Sequence, residues 1–161
     1  MLLDAPPAPS HASQLPLFRG VTFLTSPIRY PGDVSANLKK HLAQLSKRGP
    51  HRVLVGDLAY AGLPGKVYAP AEGNSVPAIA FGHDWMKSVR TYHATLRHLA
   101  SWGIVVTAPD TETGLAPDHR GFSADLESSL QIAAGVKIGQ GKVTVAPGKL
   151  GVIGHGMGGG A

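Results

Sequence analysis

The sequence predicts an α/β fold, a mostly parallel sheet with helices on both faces. Three observations predict it. Short runs of almost wholly apolar residues occur at Ala78–Phe81, Ile104–Ala108 and Leu150–Ile153. A strand can be apolar throughout only if the sheet is covered on both sides. Amphipathic stretches separate these runs, so the order from residue 78 is strand, helix, strand, helix, strand, which is the signature of a parallel sheet. Each run also ends in a polar or glycine-rich turn, and such sheets carry their sites at the carboxyl ends of their strands.

Composition narrows the function. At 161 residues the chain is long enough for one domain with a fair core. It has no cysteine, which excludes disulfides, thiolate metal sites and a cysteine nucleophile. Met1 to Ser10 offers no basic region followed by an apolar one, so it is a poor secretory signal. No run approaches the length of a membrane span. A cytoplasmic protein is expected. The net charge of +5 is carried by residues 1–52, where seven Lys and Arg face only Asp4 and Asp33. Nucleic-acid binding would need stacking aromatics or a known module beside this charge. Neither is present, and no nucleic-acid partner is expected.

The N-terminal third reads as an appendage. Residues 1–16 are rich in Pro, Ala and Ser and are expected to be disordered. Residues 17–50 form an extension. Leu17 to Leu24 is apolar without clear period, and Pro31-Gly32-Asp33 reads as a turn with a helix cap. Val34, Leu38, Leu42 and Leu45 then fall on one face of a helix, with Lys39, Lys40, Lys47 and Arg48 on its other side and last turn. Gly49-Pro50 stops it. This helix is expected to dock its apolar face on the domain and leave the basic face in water. The same pattern, over 34–48, also suits a helix lying on an anionic membrane surface.

The domain proper is expected over 51–161. Val53–Leu58 and Lys66–Ala69 flank Gly62-Leu63-Pro64-Gly65 and read as an antiparallel hairpin. A loop over 70–77 leads to the strand Ala78–Phe81. A helix over about 86–101 follows, with Val89, Tyr92, Leu96, Leu99 and Ala100 on one face. Gly103 ends it. After the strand 104–108, a polar loop over 109–121 enters a helix faced by Phe122, Leu126, Leu130 and Ala133 or Ala134. A Gly- and Lys-rich loop over 135–149 returns to the strand Leu150–Ile153.

That strand runs into Gly154-His155-Gly156-Met157-Gly158-Gly159-Gly160. Gly-x-Ser-x-Gly after a strand is a nucleophile elbow, whose glycines admit a strained turn that lifts a serine over the sheet. Here the spacing is kept, but the nucleophile position is Gly156. With the other strand ends, the pattern resembles a known group. The elbow is similar to the G-H-S-M-G-G-G of α/β-hydrolases of the dienelactone-hydrolase and cutinase-like polyester-hydrolase group. The stretch Asp84 to Gly103 is similar to that group's oxyanion-loop helix, which ends in Leu-Ala-Ser-x-Gly. Asp110-Thr111-Glu112-Thr113 with Pro117-Asp118-His119-Arg120 resembles its Asp-Thr-x-Thr loop with Pro-Asp-x-Arg. The resemblance runs from about Gly49 to the end. It implies an α/β-hydrolase fold, of which this chain holds the N-terminal half.

The resemblance also implies roles. Gly156 takes the nucleophile position. The backbone N–H groups of Met157 and Trp85 would form the oxyanion hole, and the Trp85 ring would line the acyl pocket. The Asp and His of the family's triad would lie on strands beyond Ala161. His155 matches a packing histidine. Asp84 departs from the pattern, since a carboxylate beside an oxyanion hole opposes the charge that develops there. It is expected to face solvent or cap the following helix. His83, Asp84 and His155 come from neighbouring strand ends, but no metal is expected, and no cofactor. The ligand class implied is an ester or carboxylate. Without an oxygen at 156 the chain as given is expected to be inactive. A competing pattern, Gly154-x-Gly156-x-x-Gly159, is the dinucleotide fingerprint. Three strands and two helices precede it, whereas that fingerprint usually opens a domain.

Overall fold

The computed structural model describes residues 34–161. The expectations for 1–16, for 17–24 and for the turn at 31–33 lie outside these residues. The elements are α1 (Val34–Leu45), β1 (Val53–Asp57), β2 (Gly65–Pro70), β3 (Gly73–Gly82), α2 (His93–Ser101), β4 (Val105–Pro109), α3 (His119–Gly135) and β5 (Val143–Gly154). Short 3-10 turns cover Leu58–Ala61, Val89–Tyr92 and Gly156–Gly159.

The five strands form one sheet in the order β1-β2-β4-β3-β5. The α/β class holds, but the sheet is mixed rather than mostly parallel. β1 pairs antiparallel with β2, and β2 antiparallel with β4. Only β4–β3 and β3–β5 are parallel. The cause is local: the turn after β1 is too short for a crossover, so β2 must return antiparallel. β2 then joins the parallel group at β4 in that reversed direction.

Alternation along the strands assigns the two faces. Ala78, Ala80 and Val105 pack with Leu126, Leu130 and Ala133 of α3. Phe81, Val106 and Tyr68 pack with Leu96 and Ala100 of α2. The two helices therefore cover opposite faces, as successive side chains of a strand point to opposite sides. Thr107, wholly buried on the α3 side, exchanges a 2.8 Å hydroxyl hydrogen bond with Ser129, so a polar pair in the core is satisfied. α2 carries the chain from β3 outward to β4. α3 carries it back across β3 to β5. The carboxyl ends of β3 and β5 thus lie side by side where the winding changes direction, the usual place for a ligand in an open α/β sheet.

Two strands begin earlier than their apolar runs. β3 starts at Gly73, although Pro77 lacks an N–H for the ladder, and its register to β5 shifts on both sides of Val76. β5 starts at Val143, and Val145 and Leu150 sit opposite Val76 and Ala78, so residues 146–149 bulge outward. Irregular pairing, not sequence polarity, is what hides these ends.

α1 corrects the expectation of a docked helix. Leu38, Leu42 and Leu45 are each at least 50% exposed. The chain after α1 is pinned at the end of α2: Gly49 N–H donates to Ser101 Oγ at 2.8 Å, and Trp102 Nε1 donates to the Lys47 carbonyl at 3.2 Å. Gly49 has to be glycine there, because a Cβ would run into the Ser101 carbonyl. This anchor leaves the leucine face of α1 uncovered by any described residue.

β5 is the edge strand at its side of the sheet, and Leu150, Val152 and Ile153 on it are exposed. An open apolar edge pairs with other chains. The 161-residue chain is therefore expected to self-associate, and Val152→Lys to shift it toward monomer, read by light scattering after gel filtration. A monodisperse parent with a sharp melt would contradict this.

Candidate functional site

Three strand ends build the site, and glycines let them meet. Beyond β5, His155 N–H donates to the Gly82 carbonyl at 3.0 Å, and Gly158 N–H to the His83 carbonyl at 3.0 Å. The turn after β5 is thereby laid directly on the end of β3. A Cβ on Gly154 would overlap the Gly158 carbonyl, and one on Gly158 would overlap Gly82. Gly156 has φ +53°, a left-handed conformation that glycine adopts without strain. The elbow spacing in the sequence thus corresponds to real close approaches.

His83 is fully buried against Phe122, with ring centroids 4.7 Å apart. Its Nδ1 lies 2.9 Å from the Asp84 carbonyl oxygen and its Nε2 2.7 Å from the Thr111 carbonyl oxygen. The ring joins the loop after β3 to the loop after β4. Asp110 adds a second tie by accepting from Val89 N–H at 2.8 Å, at the start of the turn that leads into α2. Glu112 accepts from Asp118 N–H at 2.6 Å, and Asp118 caps α3 through Arg120 N–H at 3.0 Å. The three carboxylates of this loop, Asp110, Glu112 and Asp118, therefore act as scaffolding.

Asp84 is the centre of the arrangement. Its Oδ1 accepts from Trp85 N–H at 2.8 Å and from Met157 N–H at 3.0 Å. These are the two backbone groups that the sequence marks as oxyanion donors, one from each loop, and they converge on one carboxylate oxygen. A Cβ on Gly156 would overlap Asp84 Oδ1. The carboxylate thus fills the space that a side chain at the nucleophile position needs. The sequence expects Asp84 to face solvent or cap the following helix; it caps no helix, and its side chain is only partly exposed, at 31%. Its side chain turns back over its own loop, because two converging N–H groups hold a carboxylate more strongly than one helix terminus. The Met157 N–H, then the Trp85 N–H, lower its pKa from the ordinary 3.8, and His155 and Lys87 add to this.

His155 is a second correction. The resemblance implies a packing residue, yet the side chain is 66% exposed. Its Nδ1 lies 3.0 Å from Tyr92 Oη and 3.9 Å from Asp84 Oδ2. Tyr92 Oη also accepts from Asp84 N–H at 3.2 Å. Tyr92 Oη thus links the Asp84 N–H to the His155 ring. Tyr92 reads in the sequence as a helix-face core residue. Its hydroxyl and the edge of its ring meet His155, while a 3.6-residue pattern reports only that the ring packs.

Trp85 is half exposed, and its indole N–H donates to the Leu115 carbonyl at 3.2 Å, so the ring bridges to the loop after β4. Among the described residues no three His, Asp or Glu side chains converge as metal ligands. Both His83 nitrogens already face carbonyl oxygens. A cavity of about 570 Å³ lies elsewhere, between β1, β2 and the end of α3, and shares no residue with the strand ends. Its titratable lining groups are Asp57, Tyr60 and Lys137, and Asp57 is already paired with Lys66 at 2.7 Å. The elbow, where two backbone N–H groups and a carboxylate converge, is the candidate site. No protein-family model matches the chain, and no curated protein sequence matches it.

Proposed function

We propose that the chain is an α/β-hydrolase-fold protein related to carboxylic-ester hydrolases, with a site that in this form binds rather than turns over its ligand. The observation that carries this reading is the convergence of Trp85 N–H and Met157 N–H on a single oxygen. In the α/β-hydrolase fold the oxyanion hole uses the N–H after the nucleophile and one from the loop after the third strand. Met157 follows Gly156, and Trp85 follows β3. The antiparallel β2 inside an otherwise parallel group, and the elbow at the end of β5, support the same fold.

In a working esterase, serine attacks the carbonyl carbon, histidine takes its proton, and the hole holds the oxygen as it becomes negative. Gly156 supplies no attacking oxygen. Loss of a triad serine costs about 10⁶ in kcat, roughly 8 kcal/mol of barrier. Asp84 adds a second obstacle, because its carboxylate already sits on the donors that an ester carbonyl would use. An ester or carboxylate ligand must displace it. The dinucleotide reading is weakened by the same contact, since a pyrophosphate at this turn would meet a fixed negative charge.

The chain is expected to hydrolyse short p-nitrophenyl esters no faster than a protein blank. A turnover number above about 1 s⁻¹ would reveal another nucleophile. NAD, NADP and FAD are expected not to bind below millimolar concentration, and calorimetric saturation by any of them would overturn the hydrolase reading.

In a longer form that carries Asp and His on later strands, Gly156→Ser alone is expected to gain little, because the new side chain collides with Asp84. Gly156→Ser with Asp84→Gly frees both the space and the hole, and kcat/KM on a short-chain ester should rise by several orders of magnitude over the single variant. Equal activities in the two variants would remove Asp84 from the account.

The depressed pKa of Asp84 sets a pH dependence with a definite sign. Its contribution to stability is fully present above its unfolded value near 3.8 and is lost as pH falls through the lower folded value. Amide resonances of Trp85 and Met157 should therefore move together as pH falls below about 4. In Asp84→Asn this acid step should vanish. Two amides that titrate separately, or not at all, would show that they do not share one carboxylate.

A further inference from the structure

A different part of the molecule has a surface that the elbow does not explain. On α1, Leu38, Leu42 and Leu45 form a stripe at i, i+4 and i+7, and each is at least 50% exposed. Lys39 and His41 follow Leu38 on the helix at angles that put them on either side of this stripe. Lys40 lies on the far side. From Val34 to Gly56 there is no Asp or Glu, while Lys39, Lys40, Lys47, Arg48 and Arg52 are all cationic. Just past the end of α1 a cleft of about 430 Å³ opens, lined by Arg48, Val53, His93, Ala94, Arg97 and His98. No acidic side chain lines it. Neither Arg48 nor Arg97 forms an ion pair among the described residues.

The anchor at Gly49 joins the two features. It holds the chain between α1 and β1 against Ser101 and Trp102, at the end of the helix that carries His93, Arg97 and His98. Arg48, three residues beyond the end of α1, lines the cleft, so the chain that carries the apolar stripe runs directly into it.

We propose that α1 and the Arg48–Arg97 cleft form a docking surface for an anionic lipid bilayer. The stripe buries its leucines at the boundary between headgroups and acyl chains, with the axis of α1 in the membrane plane. Lys39, beside the stripe, extends toward headgroup phosphates along its own methylene stem. The cleft accepts one anionic headgroup between Arg48 and Arg97. Charge complementarity selects this occupant. A second copy of the same surface would bring cations against cations. A nucleic acid would use the positive charge but not three exposed leucines, and residues 34–52 contain no Phe, Tyr or Trp on which a base could stack. Among the described residues no helix is long and apolar enough to cross a membrane, so the contact is with the surface.

The test is flotation of the full chain with vesicles of phosphatidylcholine alone and of phosphatidylcholine mixed with phosphatidylglycerol, at low and physiological salt. Expected is binding to the mixed vesicles only, weakened by salt. Leu42→Asp should abolish it. Arg48→Ala with Arg97→Ala should weaken it at least tenfold, since each cation near an anionic surface contributes about fivefold. These side chains lie outside the two core clusters, and circular dichroism would verify the fold of each variant. Absence of vesicle binding at low salt overturns the proposal. So does binding that neither variant alters, or binding to a DNA or RNA duplex that Leu42→Asp retains while vesicles fail. A parent that is oligomeric and becomes monomeric in Leu42→Asp, with vesicle binding unchanged, would assign the stripe to a second copy instead.

Discussion

Two backbone N–H groups from different loops close on one oxygen of Asp84, and they can do so only because residue 156 has no side chain. The rest of the site follows from this constraint. The donors come from the loop after β3 and the turn after β5, so their meeting requires those strands to be adjacent. The strand order supplies that adjacency. It also requires the turn after β5 to lie flat on the end of β3, which Gly82, Gly154 and Gly158 permit by their lack of Cβ atoms. The charge on Asp84 is held by fixed dipoles of the backbone, and the exposed His155 and Lys87 reinforce it from outside. An oxyanion hole is built to hold a negative oxygen. On the proposed reading, here that oxygen is supplied from within the chain.

Much of the fold was legible in the sequence because burial on two faces leaves a strong mark. Ala78–Phe81 and Ile104–Ala108 read as strands because water reaches neither side of them. α2 and α3 read as helices because Leu96 and Ala100, and Leu126 and Leu130, recur at helical spacing toward the sheet. What was missed lay where pairing is irregular or partners are absent. The early parts of β3 and β5 carry Pro77 and Pro147, and bulges that pattern alone reads as loop. The stripe on α1 looked like a docking face, and spacing cannot say whether a partner is there. The share of antiparallel pairing was underestimated, because where β2 inserts depends on the whole sheet rather than on its own residues.

The site was legible in its backbone and not in its side chains. Gly154, Gly156 and Gly158 announced a close approach, and Trp85 and Met157 were marked as donors by position. The sequence also marked Asp84 as out of place beside a developing negative charge. It could not show that the residue out of place and the missing side chain occupy one volume. That is a contact across 72 residues of chain, and no local periodicity encodes it. His155 was misjudged, and the role of the Tyr92 hydroxyl missed, for a related reason, since these polar atoms meet only after β3 and β5 pair.

The most direct test of this coupling is a double-mutant cycle in stability. Gly156→Ala, Asp84→Gly and the two together would be unfolded by denaturant under identical conditions. Alanine at a left-handed position costs about 1–2 kcal/mol by itself. In the parent the added Cβ also meets Asp84, so the loss should be larger there than in the Asp84→Gly background, by about 1–3 kcal/mol of coupling. Additive losses within about 0.5 kcal/mol would mean that the carboxylate does not fill the place of the absent side chain.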